Sequence, residues 1–223
     1  LHTSNAQEKT VTGLALPPDA APYAEQVLRI PCNNSANAVT FDFSVSVYQP
    51  YCGSNFFNDP LVTFDKALNP QPGAAESWSV ADDGVTWTFM LHQGLMWSDG
   101  TPVTAHDYVA TFRFSADPDH AWDFAWYYTF VDKGGIKNWD EVIAGELPVE
   151  ALGVRAIDDH TLEIITKGIS PPLPKIMKYA YALQKKALAE HGPYYNNEPA
   201  TAVSSGPFML EPFDHGFKVV FKA

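Results

Sequence analysis

The most constraining feature of the chain is the stretch AESWSVADDGVTWTFMLHQGLMWSDGTPVTAHDYVATFRFSADP, residues 75–118. Two Asp-Gly pairs punctuate it, Asp83-Gly84 and Asp99-Gly100, and each marks a tight turn because glycine accepts positive φ without steric cost. Trp78 and Val80 share one face of the incoming strand. Val85, Trp87 and Phe89 line one face of the return strand. Thr104 is placed to cap a helix, with Asp107 three residues on, where a carboxylate meets unpaired backbone N–H groups. That helix runs to about Ser115, Pro118 follows it, and Tyr108, Val109 and Phe112 form its apolar stripe. The product is a hairpin with an apolar face and a helix to cover it, since a lone hairpin is marginal in water.

The same stretch carries no nucleophile–base pair, no metal-ligand spacing and no phosphate loop. With 46% hydrophobic residues among 223, the chain is long enough to bury a substantial core. Its formal net charge of −12 favours solubility and repels phosphates, which argues against nucleic acid as a partner. Aromatic residues are abundant, with 6 Trp, 10 Tyr and 14 Phe. Most belong in cores, and a minority in a cleft would stack on a ligand. No apolar run approaches the ~20 residues of a membrane helix. The start of the chain has neither a charged nor an apolar signal region, and it reads as a flexible Pro/Ala-rich leader to about Tyr23. Cys32 and Cys52 are the only cysteines. They form either a bridge, closing a loop of about 20 residues and contributing ~3 kcal/mol, or two buried thiols. No CxxC occurs, so zinc and thiol catalysis are disfavoured.

Outside the central stretch, EQVLRIP (Glu25–Pro31) reads as a buried strand, VTFDFSVSVYQPY (Val39–Tyr51) as an extended segment and NPQPG (Asn69–Gly73) as a loop. HAWDFAWYYTF (His120–Phe130) holds more aromatics than a small helix usually buries. NWDEVIAGE (Asn138–Glu146) is a short helix. LGVRAIDDHTLEIIT (Leu152–Thr166) is a second hairpin turning at Asp158-Asp159-His160. A helix led by Pro171 or Pro172 and another stopped by Gly192 follow. SSGPFMLEPF and FKVVFKA form a last strand pair, and a chain that ends on a strand leaves an open edge.

In its blocks and their order, the chain resembles family 5 solute-binding proteins, the extracellular oligopeptide, dipeptide and nickel-chelate binders of ABC importers. The blocks are PLVTFDKALNPQPG, the 75–118 stretch, LGVRAIDDHTLEI and SSGPFMLEPFDHGFKVVF, so the resemblance covers roughly Gln26 onward. It implies the first lobe of a bilobal, periplasmic-binding-protein-like (type II) α/β fold, a mixed sheet with an inserted hairpin-and-helix subdomain. Residues 24–55 and 170–223 would form an incomplete first-lobe core and 56–169 the inserted subdomain. The chain stops where the second lobe would begin, so that lobe, with the acidic residue that meets a ligand's α-amine in peptide binders, is expected on further polypeptide. The implied location is periplasmic or extracellular, compatible with a lipid anchor.

The resemblance also implies where a ligand would sit. Ser46, Val47, Tyr48 and Gln49 would offer main-chain groups to a peptide backbone, as in strand addition. Trp126, Tyr127 and Tyr128 would line side-chain pockets. Ser204, Ser205 and Gly206 would form a loop near the cleft floor. Each set has a plain alternative as core or turn. The partners would be a peptide and the importer's membrane subunits, with no cofactor and no catalysis. An oligosaccharide is the nearest competing ligand, and a metal chelate is a further one. A secreted hydrolase with paired carboxylates is an alternative of another class, and an interaction module completed at its open edge by another chain is a third. Asp82, Asp83 and Asp99 read as turn residues. The histidines show no metal-ligand spacing, and Asp158, Asp159 and His160 lack the serine elbow of a triad.

Overall fold

The structure is a computed structural model that describes Arg29, Pro31 and residues 37–129, 134–215 and 217–222. The leader to about Tyr23 and Cys32 lie outside the described residues. So does the expected strand Glu25–Pro31, except Arg29 and Pro31, which are exposed and in no strand. The elements are α1 (Ser54–Phe57), β1 (Val62–Phe64), β2 (Pro70–Pro72), β3 (Ala75–Val80), β4 (Thr86–Leu91), α2 (Ala105–Ala116), α3 (Trp139–Ile143), β5 (Val154–Asp158), β6 (Thr161–Ile165), α4 (Leu173–Ile176), α5 (Lys185–His191), β7 (Met209–Leu210) and β8 (Phe221–Lys222).

The central sheet is antiparallel, with strand order β3-β4-β6-β5. Both expected hairpins are present, and they pair with one another through β4 and β6, where Trp87 lies opposite Ile164 and Phe89 opposite Leu162. Trp87, Phe89 and Leu91 are buried on β4, as the alternation requires, and Leu162 and Ile164 meet them from β6. Tyr108, Val109 and Phe112 of α2 and Trp139 and Val142 of α3 complete that core. One face is thus covered by helices, and Met90 lies exposed on the other.

The hairpin turn is longer than two residues. Asp83 Oδ1 accepts the N–H groups of Val85 and Thr86, both at 2.9 Å, and Gly84 takes φ 71°. Val85 is thereby held out of the strand it was expected to begin. Gly100 has φ 82° in the second turn. The α2 start is built as a capping box, with Thr104 N–H donating to Asp107 Oδ2 at 2.9 Å.

Two expectations fail locally. Pro70–Pro72 forms a short strand against β1 where a loop was expected. Proline's fixed φ suits extended backbone, and on so short an edge its missing N–H interrupts no ladder. Residues 39–51, expected to be extended, instead form a loop pinched at its neck. Val39 N–H donates to the Gln49 carbonyl at 2.8 Å, and Tyr51 N–H to the Thr40 carbonyl at 2.6 Å. The Asp42 carbonyl accepts from both Val45 and Ser46. The side chains of the buried polar residues Asp42, Ser44 and Ser46 find partners outside the segment, and that bonding holds it out of a strand. Ser44 Oγ, for example, donates to the Tyr181 carbonyl at 2.7 Å. The three sheets among the described residues are antiparallel; the only parallel pairing described is the isolated bridge between Thr40 and Pro50.

Candidate functional site

The pinched loop and the aromatic run meet at one place, and the residue that joins them is Asp123. Its carboxylate accepts three hydrogen bonds from the loop: Ser46 Oγ at 2.5 Å, Val47 N–H at 3.0 Å and Tyr48 N–H at 3.4 Å. Ser46 Oγ in turn accepts Gln49 N–H at 3.0 Å. Trp126 Nε1 donates to the Tyr48 hydroxyl at 3.3 Å. Phe124 anchors the surface from beneath: it is buried, stacks on Tyr127 at 4.6 Å, and meets Tyr48 and Trp126 edge-on. Trp122 Nε1 fixes the run to the same loop by donating to the Phe43 carbonyl at 3.0 Å.

The result is a joined surface on which Tyr48 is 59% and Trp126 46% exposed. Tyr127 is half-buried, and burial together with neighbouring Tyr179 pushes its hydroxyl up to about 12, so it is a neutral donor at physiological pH. Large exposed aromatic faces beside ordered main chain can hold apolar groups by dispersion while the backbone fixes orientation.

The structure thus brings together two of the three expected sets, with two corrections. Tyr128 turns inward, 3% exposed, against Phe112, Trp122 and Trp139, so it belongs to the core rather than to an open wall. Successive residues in a short 3₁₀ turn cannot all face one way. Strand addition at residues 46–49 is likewise corrected in part, because the segment is no strand and the N–H groups of Val47, Tyr48 and Gln49 are already bonded within the chain.

The third set packs elsewhere. Ser204 is 1% exposed, its hydroxyl donating to the Phe208 carbonyl, so it offers nothing to a cleft. Gly206 lies flat on α1, where an added Cβ would sit 2.8 Å from the Phe57 carbonyl oxygen. Ser205 is partly exposed and donates its N–H to Asn58 Oδ1 at 3.0 Å. Asn58 leads back to the pinched loop, since its amide donates to Asp42 Oδ1 at 2.7 Å and Asn196 donates to the same carboxylate at 3.0 Å. Asp42 is fully buried, and desolvation pushes its carboxyl up to about 7 against the opposing effect of those two amides. Cys52, just beyond the loop, is disulfide-bonded.

Sequence reasoning missed Asp123 and Asp42. The available signal was a lone acid inside an aromatic run, WDFAWYY, and another between two phenylalanines, FDF. Among the described residues, no group of three His, Cys, Asp or Glu side chains could hold a metal ion, and no helix is long and apolar enough to cross a membrane.

A rigid α/β scaffold that presents an aromatic-and-main-chain surface is the architecture of a binding protein. Residues 69–223 match the family model described as bacterial extracellular solute-binding proteins, family 5 Middle, and the chain belongs to that family. Among curated relatives, the periplasmic oligopeptide-binding protein OppA of Salmonella typhimurium is 39% identical over 156 residues, covering 68% of this chain and 27% of its own length. The probable deoxycholate-binding periplasmic protein YgiS of Escherichia coli is 34% identical over 153 residues, covering 68% of this chain and 28% of its own length. Among solved structures, Haemophilus influenzae OppA in complex with RPPGFSPFR superposes with a TM-score of 0.74 at 29% identity, over 85% of this chain and 37% of that one. The chain therefore spans under two fifths of the length of these relatives, and the fold it shares with them is part of a bilobal binding protein.

Proposed function

We propose that this chain is the first-lobe portion of the substrate-binding component of an ABC importer, which captures peptides outside the cytoplasmic membrane and delivers them to the membrane subunits. Residues 24–55 and 170–223 belong to the lobe core and 56–169 to the inserted subdomain. The ligand is enclosed when a second lobe closes on this one, and no bond is made or broken. The observation that carries this reading is the surface joined by Asp123, where loop 46–49 and the exposed rings of Tyr48 and Trp126 form one wall. Main chain recognises what all peptides share, and aromatic faces tolerate what differs between them. The names of the relatives support a peptide ligand and a periplasmic or extracellular location.

The test is calorimetry on the full-length gene product with panels of short peptides and oligosaccharides, deoxycholate and chelated nickel. Saturable heat with peptides is expected. Heat with any other panel alone overturns the peptide assignment, and hydrolysis of a bound peptide or glycoside overturns the non-catalytic one.

A further inference from the structure

We infer that Asp123 is a positioning residue that sets the hydrogen-bond polarity of the wall's main chain, so that the backbone of loop 46–49 accepts N–H groups from a ligand and does not bind anions. This rests on the reading of that loop as a ligand wall. Three donors that could otherwise meet a ligand carbonyl or carboxylate (the Ser46 hydroxyl and the Val47 and Tyr48 amides) all point to one carboxylate of the chain itself. Gln49 N–H is taken by Ser46 Oγ, and the Gln49 carbonyl by Val39 N–H. Among the described residues, no donor reaches the carbonyls of Val47 or Tyr48. What the loop's main chain has left to offer is acceptors.

Successive backbone N–H groups converging on one point are how proteins bind anions. Here the chain supplies the anion, and it does so from a side chain that is itself exposed. A ligand carboxylate approaching this part of the wall meets a fixed negative charge and no free main-chain donor from residues 47–49. A ligand amide or ammonium meets two carbonyls that accept from no donor among the described residues, beside that charge and the electron-rich faces of Tyr48 and Trp126, a setting that favours positive or N–H-bearing groups. Tyr48 and Trp126 are oriented by the same arrangement, because Tyr48 is held both by its amide on Asp123 and by its hydroxyl on Trp126 Nε1.

The experiment uses the full-length protein and its Asp123→Ala and Asp123→Asn variants, with amide hydrogen exchange over residues 44–50 as the first readout. In the ligand-free wild type the Val47 and Tyr48 amides are protected. Asp123→Ala speeds their exchange about tenfold or more, the scale of a hydrogen bond to a charged group. Millimolar acetate, filling the place of the lost carboxylate, restores protection in Asp123→Ala and leaves the wild type unchanged. Asp123→Asn protects only in part, because its NH₂ group faces one of the donors. Exchange that is the same in all three proteins, or acetate acting equally on wild type and variant, overturns the proposal. A merely structural loss would not be reversed by acetate.

The second readout is tri-alanine affinity, which falls about tenfold in Asp123→Ala and recovers with acetate. An affinity unchanged in Asp123→Ala overturns the assignment of polarity. If tri-alanine and the peptide panel bind neither protein, the peptide reading falls, while the exchange and acetate results still decide the role of Asp123.

Discussion

Replacing Asp107 with alanine tests whether the capped helix of the central stretch is held to the rest of the lobe by one carboxylate. Asp107 is 6% exposed and serves two helices at once. Its Oδ2 accepts Thr104 N–H at 2.9 Å, closing the start of α2, and Thr104 Oγ1 at 3.1 Å. Its Oδ1 accepts Lys185 N–H at 2.9 Å, the first amide of α5. Trp97 Nε1 adds a longer contact at 3.4 Å. Loss of a helix cap costs about 1 kcal/mol. Leaving a buried donor unpaired costs about 1–3 kcal/mol. With the Lys185 amide stranded as well as the Thr104 amide, Asp107→Ala should destabilise by about 2–4 kcal/mol, read by urea unfolding followed by tryptophan fluorescence. Asp107→Asn keeps one acceptor and turns an NH₂ towards the other amide, so its loss should be intermediate. Thr104→Ala leaves the Thr104 and Lys185 amides satisfied and removes only the N-cap hydroxyl, so it should cost least, about 1 kcal/mol. A loss under about 1 kcal/mol for Asp107→Ala would mean that water reaches these donors, and the argument that this carboxylate joins α2 to α5 would be wrong.

Other outcomes follow from the same geometry. Asp42 is protonated in the folded chain up to about pH 7 but in the unfolded chain only below about 3.8. Its contribution to stability is therefore complete at acid pH and is lost as pH rises through that window, at no more than about 1.4 kcal/mol per pH unit. Unfolding curves from pH 4 to 7 should show this slope reduced in Asp42→Asn, and an identical slope in the variant would refute the assignment. Gly206→Ala places a methyl 2.8 Å from the Phe57 carbonyl and should lower stability by about 1–3 kcal/mol in thermal unfolding. Trp126→Ala removes a ring that is 46% exposed; its expected signature is stability within about 1 kcal/mol of wild type with weaker binding of aromatic or aliphatic peptides by calorimetry.

The outcomes divide cleanly between what is local in the chain and what is not. Turn and cap chemistry is short-range, so Asp83-Gly84, Asp99-Gly100 and the Thr104–Asp107 pair could be read from residue type and spacing alone. The alternation of Trp87 and Phe89 and the α2 stripe followed for the same reason, because a period of two or of 3.6 is a property of the segment itself. Such spaced blocks also sufficed for the family resemblance, and hence for the expectation of a binding lobe. The polar loop 39–51 resisted this treatment. Its alternation resembles a strand, but Asp42, Ser44 and Ser46 are satisfied by Asn58, Asn196, Tyr181 and Asp123, partners 16 to 154 residues away. The inward turn of Tyr128 beside the outward Trp126 was equally hidden, since a run of aromatics has no periodicity to say which ring is core. The sequence by itself determined the two hairpins, the capped helix and their turns; only the tertiary structure decided which donors and rings remain for a ligand, because that depends on long-range partners whose separation along the chain carries no local pattern.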